Sequence, residues 1–89
     1  MIEKEITIIN KYGLHARAAA KFVSTASAYQ CDIRLRKDGD WVDGKSIMSV
    51  MMLAASKGTV LLMRADGRDE HTAFNAIEQL IADRFEEEE

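Results

Sequence analysis

In residues 2–9, Ile2, Ile6 and Ile8 fall on one face and Glu3, Glu5 and Thr7 on the other, the two-residue period of a half-buried strand. Residues 10–14 contain Gly13 and break the pattern as a loop would. From Ala16 to about Ala28 the period lengthens, with Ala19, Phe22, Val23 and Ala26 at helical spacing among alanines that favour helix. Alternation returns with Cys31, Ile33 and Leu35 set between Asp32, Arg34 and Arg36, a second strand. Asp38-Gly39 signals a hairpin turn, and Trp41-Val42 starts a short third strand. Ser46 then suits the N-cap of a short helix from Ile47 to about Ala54. After Gly58, residues Thr59 to Ala65 predict a fourth strand, and Asp66-Gly67 turns the chain again. A last helix is expected from Asp69 or Glu70 to Phe85, with Ala73, Phe74, Ile77, Leu80, Ile81 and Phe85 on one face.

The predicted order is β-α-β-β-α-β-α. Four strands and two long amphipathic helices in so short a chain favour an α+β, two-layer sandwich with the helices on one face of the sheet. The segment around residues 47–53 does not fit a simple one-sided pattern. Ile47, Met48, Val50, Met51, Met52 and Leu53 point apolar groups in every direction around about two turns. A short helix cannot bury all of them, so some methionines are expected to face solvent, where soft, adaptable side chains suit partner docking.

Composition narrows the function classes. The 89 residues, 47% hydrophobic, make one domain spanning 1–89. One small core leaves no walls for a pocket that encloses a metabolite, which argues against an autonomous enzyme on a small substrate. The net charge of −3 conceals an asymmetry, because Glu86 to Glu89 supply four negative charges and leave residues 1–85 at +1. Those four glutamates are expected to form a solvated tail. Between Lys11 and Lys57 eight Lys or Arg face four acids, a mildly basic middle suited to phosphate or acidic partners. It is too weak and scattered for nucleic acid. The single Cys31 cannot form an internal disulfide, and no Cys/His cluster has zinc spacing; neither a metal nor a cofactor is called for. No signal peptide or membrane span is legible, so a cytoplasmic protein without membrane insertion is expected.

The segment Tyr12-Gly13-Leu14-His15-Ala16-Arg17 lies where a loop becomes a helix. Backbone N–H groups at a helix start lack internal partners, and the helix dipole adds partial positive charge there. A phosphate at that point would meet donors already aimed at it. The same field disfavours imidazolium and leaves the ring a nucleophile. Arg17 can supply a forked, permanently charged donor for phosphoryl oxygens. These are the parts phosphoryl transfer needs, since its catalysis is largely positioning and charge stabilisation. A histidine at a helix start can also be a plain polar cap, and spacing alone does not choose between the two.

The run GLHARAAAKFV, residues 13–23, resembles the active-site segment of the HPr family, the histidine-containing phosphocarriers of the bacterial phosphoenolpyruvate:sugar phosphotransferase system. The run DGKSIMSVMMLAASKGT, residues 43–59, resembles the second signature of that family, around its regulatory serine. The resemblance covers essentially residues 1–85. It implies an HPr-like open-faced sandwich with a four-stranded antiparallel sheet. It puts the phosphorylated nitrogen at Nδ1 of His15, and Arg17 at the position that steadies the phosphoryl group. Phosphate would arrive from enzyme I and leave to an enzyme IIA domain. Ser46 falls on the serine modified in some members by HPr kinase/phosphorylase, and an added phosphate there would bring about −1.5 to −2 charge. The docking surface implied by the family draws on its first two helices, which makes Phe22, Ile47, Met48, Met51 and Met52, with Lys21 and Lys45, the candidates here; Phe22 equally suits the core, and Ile47 and Met51 partly do. A monomer is expected. One departure is Ala18, where many members carry the proline that suits a first helical turn.

Two other readings of the same fold remain open. One is a nitrogen-type regulatory paralogue whose phosphorylation state controls target proteins; the Ser46 segment is more typical of the general carrier. The other is a binding protein that transfers nothing, against which His15 and Arg17 together weigh. A metal site would require the fold to unite His15, His71 and Cys31.

Overall fold

The structure is a computed structural model that describes residues 1–88. Strand β1 (Ile2–Thr7) leads to helix α1 (Ala16–Ser27), followed by β2 (Asp32–Arg36) and β3 (Val42–Asp43). Helix α2 (Ile47–Met52), β4 (Val60–Asp66), α3 (Glu70–Ala82) and a single 3₁₀ turn (Arg84–Glu86) complete the order. All strand pairs are antiparallel and the sheet order is β1-β4-β2-β3.

The period-two reading of the strands explains which side of the sheet is covered. Ile6, Ile33, Leu35, Leu61, Met63 and Ala65 are buried, while their alternates Glu3, Glu5, Asp32 and Arg36 are exposed. Lys4 shares the face of Ile2 and Ile6 and lays its ammonium 5.6 Å from the Phe74 ring centroid, a charged head beside an aromatic at the margin of the core. The uncovered face carries Arg64, paired with Glu3 at 3.0 Å and stacked 4.1 Å from the Trp41 ring. β1 ends one residue before its pairing does, because Ile8 still donates to the Thr59 carbonyl and accepts from Gly58 N–H.

Helix α1 buries Ala18, Ala19, Phe22 and Ala26 in the core and packs beside α2 and α3. Phe22 is 1% exposed, so of the two roles open to it, core and docking surface, it takes the core. An apolar residue at helical spacing satisfies both readings in sequence; only the packing of α1 separates them. Helix α2 buries Val50 alone, leaving Ile47, Met48, Met51 and Met52 exposed, Met52 by 79%.

The end of α3 departs from expectation. The helix stops at Ala82, not at Phe85, and Arg84, Phe85 and Glu86 take left-handed φ values of 55°, 54° and 64°. Each such residue costs about 1–2 kcal/mol outside glycine. Continued helix would keep Phe85 on the stripe of Ile77 and Ile81 beyond the helix's own support. The left-handed turn instead reverses the chain toward α1, buries Phe85 completely, and lets Lys21 Nζ donate to the Phe85 carbonyl at 2.8 Å. Full burial of a phenylalanine contributes about 1.5–3 kcal/mol, and the lysine supplies a partner for a carbonyl that no helix satisfies.

Candidate functional site

The loop before α1 is pinned from two sides. Gly13 has φ +66°, and a Cβ there would collide with the Ala55 carbonyl oxygen, so only glycine fits. Leu14 N–H then donates to that same carbonyl at 2.8 Å. From within the loop, the fully buried Asn10 donates through Nδ2 to the Gly13 carbonyl at 2.9 Å. This frame delivers His15 to the N-cap of α1 with extended backbone (φ −74°, ψ −179°), and Ala19 N–H closes the first turn on the His15 carbonyl.

The His15 ring is held at both nitrogens. Arg17 N–H donates to Nδ1 at 3.3 Å, and Nε2 lies 2.6 Å from Glu87 Oε2. A backbone N–H can only donate, so Nδ1 carries the lone pair; a carboxylate can only accept, so Nε2 carries the proton. Tyr12 meets the ring edge-on, with centroids 6.0 Å apart. The Arg17 side chain is mostly exposed and brings Nε to 3.7 Å from Glu87 Oε2. Tyr12, Arg17, Glu86, Glu87 and Glu88 line an open depression of about 420 Å³. Its openness suits contact with another macromolecule better than enclosure of a metabolite.

Glu87 overturns the expectation of a solvated acidic tail. Its side chain is 8% exposed, and its other oxygen, Oε1, accepts from Asn10 Nδ2 at 2.9 Å. Burial pushes its carboxyl up, but the hydrogen bonds from Asn10 and His15 and the nearby Arg17 charge outweigh that and hold it below the usual carboxylate range. Glu86 and Glu88 are exposed, in keeping with the tail reading; Glu89 lies outside the described residues. No local pattern marks Glu87 within a run of like residues, since its partners are 72 and 77 positions away. Asn10 gives no stronger signal, because a polar residue in a loop reads as solvated.

The second signature lies on α2. Ser46 caps that helix, its Oγ accepting from Ser49 N–H at 3.3 Å. Gly44 precedes it where a Cβ would lie 2.7 Å from Ile33 Cγ2, and its N–H donates to the Ile33 carbonyl. Helices α1 and α2 are packed together, with the exposed Ile47, Met48, Met51 and Met52 on the second. The two lysines expected at the docking surface are both engaged internally, Lys21 with the Phe85 carbonyl and Glu86, Lys45 with the Tyr29 carbonyl at 2.7 Å. Ala18 is fully buried at the third position of α1, where its methyl group joins the core.

Cys31 is buried, and burial, with Asp69 beside it, pushes its thiol up to about 11, which makes it unreactive. No group of three or more His, Cys, Asp or Glu among the described residues is placed to hold a metal ion. No described helix is long and apolar enough to cross a membrane.

Comparison with known proteins places this geometry in context. Residues 2–83 match the family described as the PTS HPr component phosphorylation site. The phosphocarrier protein HPr of Pseudomonas aeruginosa is 59% identical over 86 residues, 96% of each chain. That of Xylella fastidiosa is 53% identical over 88 residues, 99% of each chain. Among solved structures, the HPr of Thermoanaerobacter tengcongensis superposes with a TM-score of 0.95 at 47% identity, covering both chains completely.

Proposed function

The chain belongs to the HPr family of phosphotransferase-system phosphocarriers, and from that premise we propose that His15 takes a phosphoryl group on Nδ1 from phospho-enzyme I and gives it to an enzyme IIA domain. The observation that carries this reading is the state of the ring: the lone pair is on Nδ1, directed at the amide start of α1, with Arg17 two residues on. A phosphoryl group bonded there would meet helix-end N–H donors and could draw the Arg17 guanidinium onto its oxygens. Transfer between two histidines needs no enclosed substrate pocket, in keeping with an open depression lined by charged residues.

Partners would dock on the exposed apolar positions of α2, Ile47, Met48, Met51 and Met52, whose flexible side chains can adapt to enzyme I and enzyme IIA in turn. Ser46, half-buried beside that patch, is the regulatory position. Phosphate added there by HPr kinase/phosphorylase would favour the start of α2 and place charge against any acidic partner surface. The protein acts in this reading as a cytoplasmic monomer.

The direct test is labelling with enzyme I and phosphoenolpyruvate. One acid-labile phosphate per chain is expected, absent in His15→Ala; stoichiometric labelling that survives the substitution would overturn the assignment.

A further inference from the structure

Glu87 lies within four residues of the end of the sequence, in a run of four glutamates, and the mechanism above does not use it. We infer that Glu87 is a positioning residue for the His15 reaction: its carboxylate holds the ring with the proton on Nε2 and the lone pair on Nδ1, and faces the charge that the ring acquires when it takes a phosphoryl group. The inference rests on His15 being the phosphoacceptor.

An exposed surface ion pair contributes little and holds nothing in place. Glu87 differs in three respects. Both carboxylate oxygens are bonded, Oε2 to His15 Nε2 at 2.6 Å and Oε1 to Asn10 Nδ2 at 2.9 Å. Asn10 is completely buried and also donates to the Gly13 carbonyl, so the carboxylate is fastened to the loop that carries His15. The backbone before Glu87 is set by the left-handed turn at Arg84–Glu86, with Phe85 buried and its carbonyl held by Lys21. That turn is costly in non-glycine residues, and one result of it is to return Glu87 to the ring. The carboxylate is therefore preorganised relative to Nε2 before any partner arrives.

The chemistry balances without an added proton carrier. The Nδ1 lone pair attacks the phosphorus of a phosphohistidine donor. The new N–P bond forms as the donor's N–P bond breaks, and that electron pair returns to the donor imidazole. The His15 ring keeps its Nε2 proton and becomes an N-phosphorylated imidazolium, with a positive charge that Glu87 Oε2 already faces. Glu87 also competes for Arg17, whose Nε is 3.7 Å from the same oxygen. A phosphoryl group on Nδ1 would draw the guanidinium away, leaving Oε2 to the ring alone while Oε1 stays on Asn10.

The test compares the full chain with Glu87→Gln and Glu87→Ala. Phosphoryl transfer from enzyme I is timed, the His15 ring nitrogens are read by ¹⁵N NMR at neutral pH, and thermal unfolding is followed for each protein. The wild type should show a protonated Nε2 whose hydrogen exchanges slowly and an unprotonated Nδ1. Glu87→Gln, able to accept the Nε2 hydrogen without the charge, should keep that signature and transfer about threefold to tenfold more slowly. Glu87→Ala should lose the slow exchange and transfer more than about tenfold more slowly. The inference is overturned if Glu87→Ala keeps the wild-type ring signature and a rate within about twofold, or if slowing in both variants follows lost folding stability with no change at the ring. If the wild type takes no phosphoryl group, the reading of His15 fails instead, and the ring spectra still decide whether Glu87 sets its tautomer.

Discussion

At the start of α1, Gly13 lies against the Ala55 carbonyl two residues before the capping His15; at the start of α2, Gly44 lies against Ile33 two residues before the capping Ser46. In each, the cap side chain accepts a first-turn N–H at 3.3 Å. The local device is the same, and the surroundings differ. His15 has a carboxylate on its second nitrogen and a guanidinium two residues on, whereas Ser46 is followed by exposed Ile47 and Met48. A helix start supplies donors for phosphate in both places. Only the first adds a nucleophile with its proton fixed elsewhere, as reversible exchange with another phosphohistidine requires. A serine hydroxyl must instead lose a proton to an external base, which fits modification by a separate kinase.

The comparison can be broken first at the glycines. Gly13→Ala should destabilise the fold by about 2–5 kcal/mol, since it adds a backbone collision to a left-handed conformation. Gly44→Ala, whose backbone is not left-handed, should cost about 1–3 kcal/mol. Urea denaturation measures both, and equal losses would mean that the φ of Gly13 carries no weight.

Next comes charge. Arg17→Ala should slow transfer from enzyme I roughly 10- to 100-fold with little change in unfolding midpoint, because its side chain is mostly exposed. Stopped-flow or quench-flow phosphorylation at fixed enzyme I would read it.

A smaller effect is expected at the other cap. Ser46→Asp keeps an N-cap oxygen, so it should preserve stability while slowing transfer by about threefold to tenfold through charge beside the methionine patch. Ser46→Ala should cost about 1 kcal/mol of stability and leave transfer nearly unchanged. An unaltered rate in Ser46→Asp would remove the electrostatic brake.

The smallest difference is one of pH. Glu87 is held below the ordinary carboxylate value of about 4.3. Its contribution to stability is therefore fully present above that value and lost as pH falls through the lower, folded one. The Asn10 side-chain amide, bonded to Glu87, should shift in that acid range by NMR, while the Ser49 amide, bonded to a hydroxyl, should move less.

Much of the scaffold was legible because its periods are local. The alternation in residues 2–8 and 31–36, and the Ser46 cap, follow from neighbours one to four positions apart. The family resemblance pointed to His15 and Arg17, where spacing alone does not choose between a phosphoacceptor and a plain cap. What escaped was long-range. Phe85 sits four residues after Ile81 and so reads as helix, yet it is buried through a left-handed turn that no glycine announces. Phe22 has a periodicity that does not distinguish a core face from a docking face. Glu87 and Asn10 meet across 77 residues, and neither has a sequence neighbour that hints at the other.

Trp41 is the only tryptophan in the chain, stacked on Arg64 and within 6.0 Å of Arg36 on the side of the sheet away from the helices. Its fluorescence therefore reports the integrity of the β4-β2-β3 side of the sheet, on the face away from the helices. With a partner that lacks tryptophan, an optical unfolding curve of the complex would measure the carrier alone. The stabilisation conferred by docking could then be obtained without labelling either protein.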